Sequence, residues 1–462
     1  MSLALIMKKN LRFYLALYFS KSTARFMKLL GKKATSMPGS WALIICPDFL
    51  DRIDKPEKIY GITGTNGKTT VTNMIIDILE NLGADFVCNR EGSNVPTGIA
   101  TVLIKNSTLT GKMKKNMAVF ELDERSAARM FPYLKIDTLL VINLFRDSFK
   151  RNAHVEYIYN ILNSTISPDI KLIVNGDDPM CVKLGTQEKL YYGMLPQEFE
   201  SGEFINIVRD GAVCPNCSAP LTYDFTRYNH VGIYHCDNCG YFPAKQDFVA
   251  VKADLKNRTL DTVIKGSPYT FRLVDENPHN IYNELSAISY VHEMGYSLDE
   301  IDKAINNLKV AESRLISTEV NGKTVARIIA KGQNPVASSR SFESVKTFNG
   351  KKCLVLILDD HEDAGKSVEN ISWYFDTDFE FLNDPSVNQV IVEGTRNLDV
   401  LVRLLMAGMD RDIIKCVRGT EKIKDTIDYE ISDTFIVYHH THRYYTSEPV
   451  RVDIIEKIKE MK

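Results

Sequence analysis

Between Lys58 and Gly193 the chain alternates short apolar runs with stretches whose apolar positions recur every three or four residues. EKIYGI, NMAVFEL (116–122), DTLLVINL (137–144) and DIKLIVN (169–175) read as strands. KTTVTNMIIDILENLG reads as a helix, with Val71, Met74, Ile75, Ile78, Leu79 and Leu82 at helical spacing. Strands alternating with helices predict a mostly parallel, doubly wound α/β sheet, in which ligands bind at the carboxyl ends of the strands.

The pattern resumes near residue 316. KKCLVLILDD (351–360), NQVIVEG (388–394) and DTFIVYHH (433–440) read as strands, and a helix after the second places Leu398, Leu401, Val402, Leu405 and Met409 on one face. Three regions follow: a basic helical segment at 1–47, a central α/β domain at 48–315, and a smaller Rossmann-like α/β domain at 316–462. The central domain is interrupted at about 205–247 by CPNCSAPLTYDFTRYNHVGIYHCDNC, in which two CxxC pairs stand 18 residues apart. That spacing suits a zinc ribbon, with Cys214, Cys217, Cys236 and Cys239 as four thiolate ligands of one structural ion and Tyr223, Tyr228 and Tyr234 on its short strands. Two disulfides are the competing reading, disfavoured because nothing points to secretion. A closed four-thiolate site has no open position for catalysis.

Composition adds a little. With 462 residues, 44% hydrophobic and 25% charged, the chain reads as an ordinary globular protein of two or three domains. No run of about 18 uncharged apolar residues predicts a membrane span, and a net charge of -2 gives no overall pull toward nucleic acid. The charge is uneven, however: eight Lys or Arg precede the first acidic residue, Asp48. In residues 8–33 they are interspersed with Phe, Leu and Tyr, as in a helix resting on an anionic membrane, in one packed on its own domain or, less fittingly, in an organellar targeting peptide without a cleavage signal. Cys46, Cys88, Cys181, Cys353 and Cys416 stand in no turn or pairing that marks a nucleophile.

GITGTNGKTT, residues 61–70, carries the chemistry. It ends like a phosphate-binding loop, but the glycine expected five residues before Gly67 is replaced by Ile62, with glycines at 61 and 64 instead. The string resembles the ATP-binding loop of the Mur ligase family, and a strand before it and a helix after it supply the required context. The resemblance implies that Gly64, Thr65, Asn66, Gly67, Lys68, Thr69 and Thr70 bind ATP, with backbone N–H groups and the helix N-terminus on the phosphates. Lys68 then neutralises phosphate charge, while Thr69 and the strand-end Glu121 hold Mg²⁺. Asn280 in NPHNIYNELSA is implied as adenine reader, and Arg314 in AESR as a further nucleotide contact.

The ribbon, EGSN at 91–94, NGDDP at 175–179 and ISWYFDTDFEFL at 371–382 are similar to one branch of that family, the ligase subunit of a lipid II amidating complex. This implies ATP-dependent amidation of the D-glutamate α-carboxylate through an acyl phosphate, in the cytoplasm and peripherally at the inner face of the membrane. Ammonia would come from a separate glutaminase subunit of the GatD type, whose catalytic His is oriented by Asp376, with Asp378 as the nearby alternative. RDSFKR (146–151), KGQNPVA (331–337) and DAGKSVENISW (363–373) depart from the branch's usual strings. Two alternatives stay open: a ligase joining another amine or amino acid to a different carboxylate, and a non-catalytic nucleotide-binding scaffold.

Overall fold

The computed structural model describes residues 9–461 except 148–153, 244, 275–279, 309–314, 359–369 and 441–443. The chain divides into two compact units. The first comprises residues up to Phe145, Val155–Phe204 and Asp210–Lys309; the second comprises Arg146–His154, Ile205–Arg209 and Val310–Lys462.

In the first unit, helices α1 (Leu11–Leu29) and α2 (Met37–Ile45) precede β1 (Lys58–Thr63), helix α3 (Lys68–Asn81), β2 (Phe86–Cys88), helix α4 (Pro96–Lys105), β3 (Met117–Glu121) and β4 (Thr138–Val141). Then come β5 (Lys171–Asn175), β6 (Lys189–Met194), the hairpin β7 (Thr222–Tyr228) and β8 (Val231–His235), the meander β9 (Phe248–Asp254), β10 (Thr259–Ile264) and β11 (Ser267–Arg272), and helix α5 (Ile281–Glu293). Nine strands form one sheet in the order β11-β10-β9-β6-β5-β4-β1-β3-β2. Pairing is parallel from β2 to β9 and antiparallel only across the meander. β1 is flanked by β3 and β4, and the chain crosses from β3 on one side of it to β4 on the other. The crevice at its carboxyl end is therefore open for a ligand. Helix α3 turns Val71, Ile75, Ile76, Ile78 and Leu79 inward; Ile76 takes the buried place that the spacing assigned to Met74, which is only partly covered.

The second unit holds β12 (Leu315–Val320), β13 (Lys323–Ala330), helix α6 (Pro335–Glu343), β14 (Lys352–Ile357), β15 (Val387–Glu393), helix α7 (Asn397–Met406), β16 (Ile414–Val417), β17 (Thr434–His440) and helix α8 (Tyr444–Glu460). Its sheet runs β12-β13-β17-β14-β15-β16, parallel except at β12–β13. On α7 the apolar positions grouped by spacing divide between inside and outside: Leu398, Val402 and Leu405 are exposed, Leu401 is half-buried and Met409 is buried. Val400, Arg403 and Leu404 form the inner side of the helix, since a second apolar set recurs at the same spacing.

Candidate functional site

The loop at the end of β1 is held by its own backbone and by the strand beside it. Gly64 adopts φ +137°, and a Cβ there would lie 3.0 Å from the Asn143 carbonyl, so both conformation and space demand glycine. The Thr65 N–H donates to Asn143 O (3.0 Å), and Asn143 exchanges side-chain bonds with the Asn66 backbone, both 2.9 Å. Thr65 Oγ1 donates to Phe145 O and accepts from its N–H. These bonds engage the N–H groups of Thr65 and Asn66, which the sequence reading assigned to phosphate. The first-turn N–H groups of α3, at Lys68, Thr69 and Thr70, have no partner within the helix and remain at the positive end of its dipole.

Lys68 is buried and folded against the loop. Its Nζ donates to Gly64 O, to Thr65 O (3.3 Å) and to Glu124 Oε2 (2.8 Å), whose side chain is 3% exposed. Burial opposes the lysine's charge, but the Glu124 carboxylate prevails and holds its pKa above the ordinary value. Glu124 is a residue that the sequence reading missed. Its only signal was the acidic cluster in ELDE.

Thr69, exposed at the start of α3, and Glu121, at the end of β3, line one cavity of about 240 Å³ with Asn89, Ser93 and Asn94. Asn89 clamps the Glu121 backbone by two 2.9 Å bonds, and Asn94 donates to Glu121 Oε1 at 2.8 Å. A hydroxyl and a fixed carboxylate on a polar cavity form an oxygen donor set of the kind Mg²⁺ takes. Asn280 lies at the start of α5, its Oδ1 accepting from Asn283 Nδ2 at 3.0 Å. Asn283 Oδ1 in turn sits where a Cβ on Gly67 would be, 2.8 Å away, and Gly67 has φ +85°. Asn280 is thus joined to the loop through Asn283. Arg314 lies outside the described residues.

Within the second unit a charged cluster joins three of the segments singled out by sequence. Arg146 pairs with Asp376 at 3.1 Å, while Asp147 accepts from Lys331 Nζ and Asn334 Nδ2, both at 2.9 Å. The two aspartates near the candidate interface differ sharply. Asp376 keeps 19% of its side chain exposed, whereas Asp378 is buried and accepts from Asn206 Nδ2 and the Ile207 N–H. Burial raises the Asp378 pKa, and the role of facing a partner does not suit it. Arg403, on the buried side of α7, donates to the carbonyls of Tyr374 and Thr377, tying that helix to the turn that carries Asp376. Ser148, Lys150 and the start of DAGKSVENISW fall outside the described residues.

The four ribbon cysteines come together, with Cys214 and Cys239 Sγ 3.7 Å apart and Cys217 and Cys236 Sγ 3.5 Å apart. All four sulfurs lie within 4.8 Å of one another, and none is in a disulfide. Metal–sulfur bonds of about 2.3 Å in a tetrahedron place sulfurs roughly 3.8 Å apart, so the cluster can hold a metal ion. Tyr234 packs against Cys214 and Cys236 in its core. The hairpin is fastened to the sheet by NGDDP. Asp177 accepts from the Met194 N–H, Tyr282, Gln246 and Arg227 of β7, and Asp178 lies 3.5 Å from His230 at the hairpin turn. The other five thiols, at 46, 88, 181, 353 and 416, all have pKa values raised, chiefly by burial, which keeps them protonated and poorly nucleophilic.

Comparison with known proteins places these features. The Mur ligase middle domain matches residues 62–210, and the MurT ligase C-terminal domain matches residues 332–443. The chain is 29% identical over 424 residues to the lipid II isoglutaminyl synthase (glutamine-hydrolyzing) subunit MurT of Staphylococcus aureus strain COL, covering 90% of this chain and 94% of that one. It is 28% identical over 422 residues to the same subunit of Streptococcus pneumoniae, covering 91% and 92%. Among solved structures, a pseudomurein peptide ligase type C from Methanothermus fervidus superposes with a TM-score of 0.62 at 20% identity, over 90% of this chain and 81% of that one. MurF ligase from Thermotoga maritima in complex with ADP gives 0.54 at 13% identity, over 88% and 82%.

Proposed function

Because the chain belongs to the Mur ligase family and to its MurT branch, we propose that it is the ATP-dependent ligase subunit of a complex that amidates lipid II. The observation that carries this reading is the match to subunit MurT along 94% of that protein's length, in a chain whose phosphate loop is intact. In the proposed reaction the D-glutamate α-carboxylate oxygen attacks the γ-phosphorus of ATP, and ADP leaves. Ammonia then forms the C–N bond as phosphate departs, and a proton is lost. Phosphoryl transfer asks for positioning and charge neutralisation. The first-turn N–H groups of α3 and the Lys68 ammonium, held by Glu124, supply these to the phosphates. Thr69 and Glu121 would hold Mg²⁺, which would supply neutralisation of phosphate charge when bound. Asn280, bonded to Asn283 beside Gly67, is proposed as the adenine reader, and Arg314 is retained as a nucleotide contact.

Zinc suits the four-thiolate cluster best, as a structural ion. Metal analysis should return about one zinc per chain. A metal-free, oxidised protein would overturn that assignment.

For ammonia supply we propose a GatD-type glutaminase docking on the second unit, with Asp376 orienting its catalytic His. Support comes from the partly exposed Asp376, from α7, which carries exposed apolar residues and is bonded to the same turn through Arg403, and from the shielded thiols of this chain. The docked partner would have to compete with Arg146 for the carboxylate. The decisive experiment supplies purified protein with lipid II, Mg²⁺-ATP and ammonium, and follows amide formation by mass spectrometry. Amidation without any glutaminase is expected. Unmodified lipid II together with ATP hydrolysis stimulated by amino acids would instead identify a ligase that adds amino acids, and absence of ATP binding would identify a scaffold.

A further inference from the structure

Helix α1 is apolar on two opposite sides. Phe13, Ala16 and Leu17 are buried against the first unit. Leu11, Leu15, Tyr18, Phe19, Phe26 and Leu29 are 46% to 85% exposed, and at 3.6 residues per turn they fall in one stripe roughly 100° wide. Helix α2 continues it with Met37, Trp41 and Ile44, spaced i, i+4, i+7 and 37% to 65% exposed. The Phe19 and Trp41 rings meet edge to face with centroids 5.6 Å apart, so the two stripes are one surface. A soluble helix ordinarily presents polar residues on its outer side, and an apolar surface of this extent marks an interaction.

The charges beside it indicate what that interaction is. Lys21, Arg25 and Lys28 run along one edge of the stripe and enter a cavity of about 770 Å³. Lys32, Lys33, Lys105 and Lys114 also line it, and Glu91 is the one carboxylate among the lining residues. Lys21 donates to the carbonyls of Ile104 (2.6 Å) and Ser107 (2.7 Å), and its pKa is pushed down to about 8 by burial and by Lys114 and Arg25. Crowded cations of this kind call for phosphate. A second copy docked through the same surface would set these cations against their own kind. An anionic bilayer satisfies both halves, since apolar side chains enter the acyl boundary while cations lie at head-group depth, and Trp is at home between them. No helix among the described residues is long and apolar enough to cross a membrane.

We propose that α1 and α2 form a docking surface for the face of an anionic membrane, the apolar stripe entering the interface and the adjacent cationic cavity receiving lipid phosphate groups. This does not rest on the ligase reading, and its test does not use turnover. The full chain is floated with vesicles of phosphatidylcholine alone or mixed with phosphatidylglycerol. Co-flotation is expected with the anionic vesicles and should weaken with salt. Arg25→Glu with Lys28→Glu should lower partitioning at least tenfold, and Leu15→Ser with Phe19→Ser and Phe26→Ser should abolish it, both with unchanged melting temperature. The chain has two tryptophans, and Trp373 is buried, so a blue shift of emission on vesicle addition reports Trp41 in the unaltered protein. The proposal is overturned if the wild type stays in the soluble fraction with anionic vesicles, or if Trp41 emission does not move. It is also overturned if the charge-reversed variant floats equally. Dimerisation abolished by the serine variant would show that a second copy covers the surface, and protection of the cavity by inorganic pyrophosphate without vesicle binding would show a site for soluble anions.

Discussion

The phosphate loop and the cluster around Asp147 and Asp376 are both made of cations facing carboxylates, yet they are built in opposite ways. The loop takes its shape from ten consecutive residues. Two positive-φ glycines, a helix start and Asn143 of the neighbouring strand leave it little freedom. The cluster has no backbone frame of its own and gathers side chains from residues 146, 147, 331, 334 and 376. A site of the first kind suits chemistry on a ligand that is the same in every turnover. One of the second kind can be retuned one residue at a time.

This contrast is sharpest at Lys68. Lys68→Ala should lower ammonium-dependent turnover by roughly 10²-fold or more, the scale of removing a preorganised charge from a transition state, and should leave no reaction that glutaminase can rescue. Equal turnover by the variant would make the loop a structural turn. Next in size is Asp376→Asn. Glutamine-dependent amidation should fall, as when a triad carboxylate is neutralised, while the ammonium-dependent rate is largely kept. If both rates fall together, the second region belongs to the ligase chemistry and the contrast is broken. Glu124→Gln keeps the size of the side chain and removes its charge, so it should lower turnover by about tenfold through a loosened Lys68, with a smaller change in ATP affinity.

The smallest effect concerns pH. His230 is buried, and although burial opposes its charge, Asp178 raises its pKa in the folded protein. A group raised in this way stabilises fully below its unfolded value of about 6.5, and the contribution is lost as pH rises through the folded value. Asp178 opposes its burial through His230 and has its pKa lowered, so its own contribution is lost only as pH falls through that depressed value. His230→Gln should therefore flatten the decline of melting temperature above about pH 6.5. An unchanged profile would mean that the imidazole stays neutral.

These cases also show what the sequence could convey. The parallel strands, the loop and the four cysteines were legible because each is a local pattern, contiguous or at fixed spacing. Glu124 and Asn283 were not, since their meaning lies in what they touch: Lys68 lies 56 positions before the first, and the second covers Gly67. Helix α7 shows why periodicity alone cannot tell inside from outside when both faces are apolar. The N-terminal segment shows the converse, because its basic character was visible early while the second apolar stripe emerged only once the first was seen to be buried.

The register of β6 with β9 carries a consequence for the order of folding. Tyr192 pairs with Phe248 and Met194 with Ala250, so the sheet is interrupted by the whole cysteine hairpin before it resumes. Closing so long a stretch costs chain entropy that grows with the logarithm of its length, and the pairing that would repay it forms across that gap. A hairpin that had already bound a metal ion, and was seated on Asp177 and Asp178, would shorten the chain that must be closed. The meander β9–β11 is therefore expected to dock late, after the ribbon, and to be the part of the sheet whose amides exchange soonest when metal is withheld.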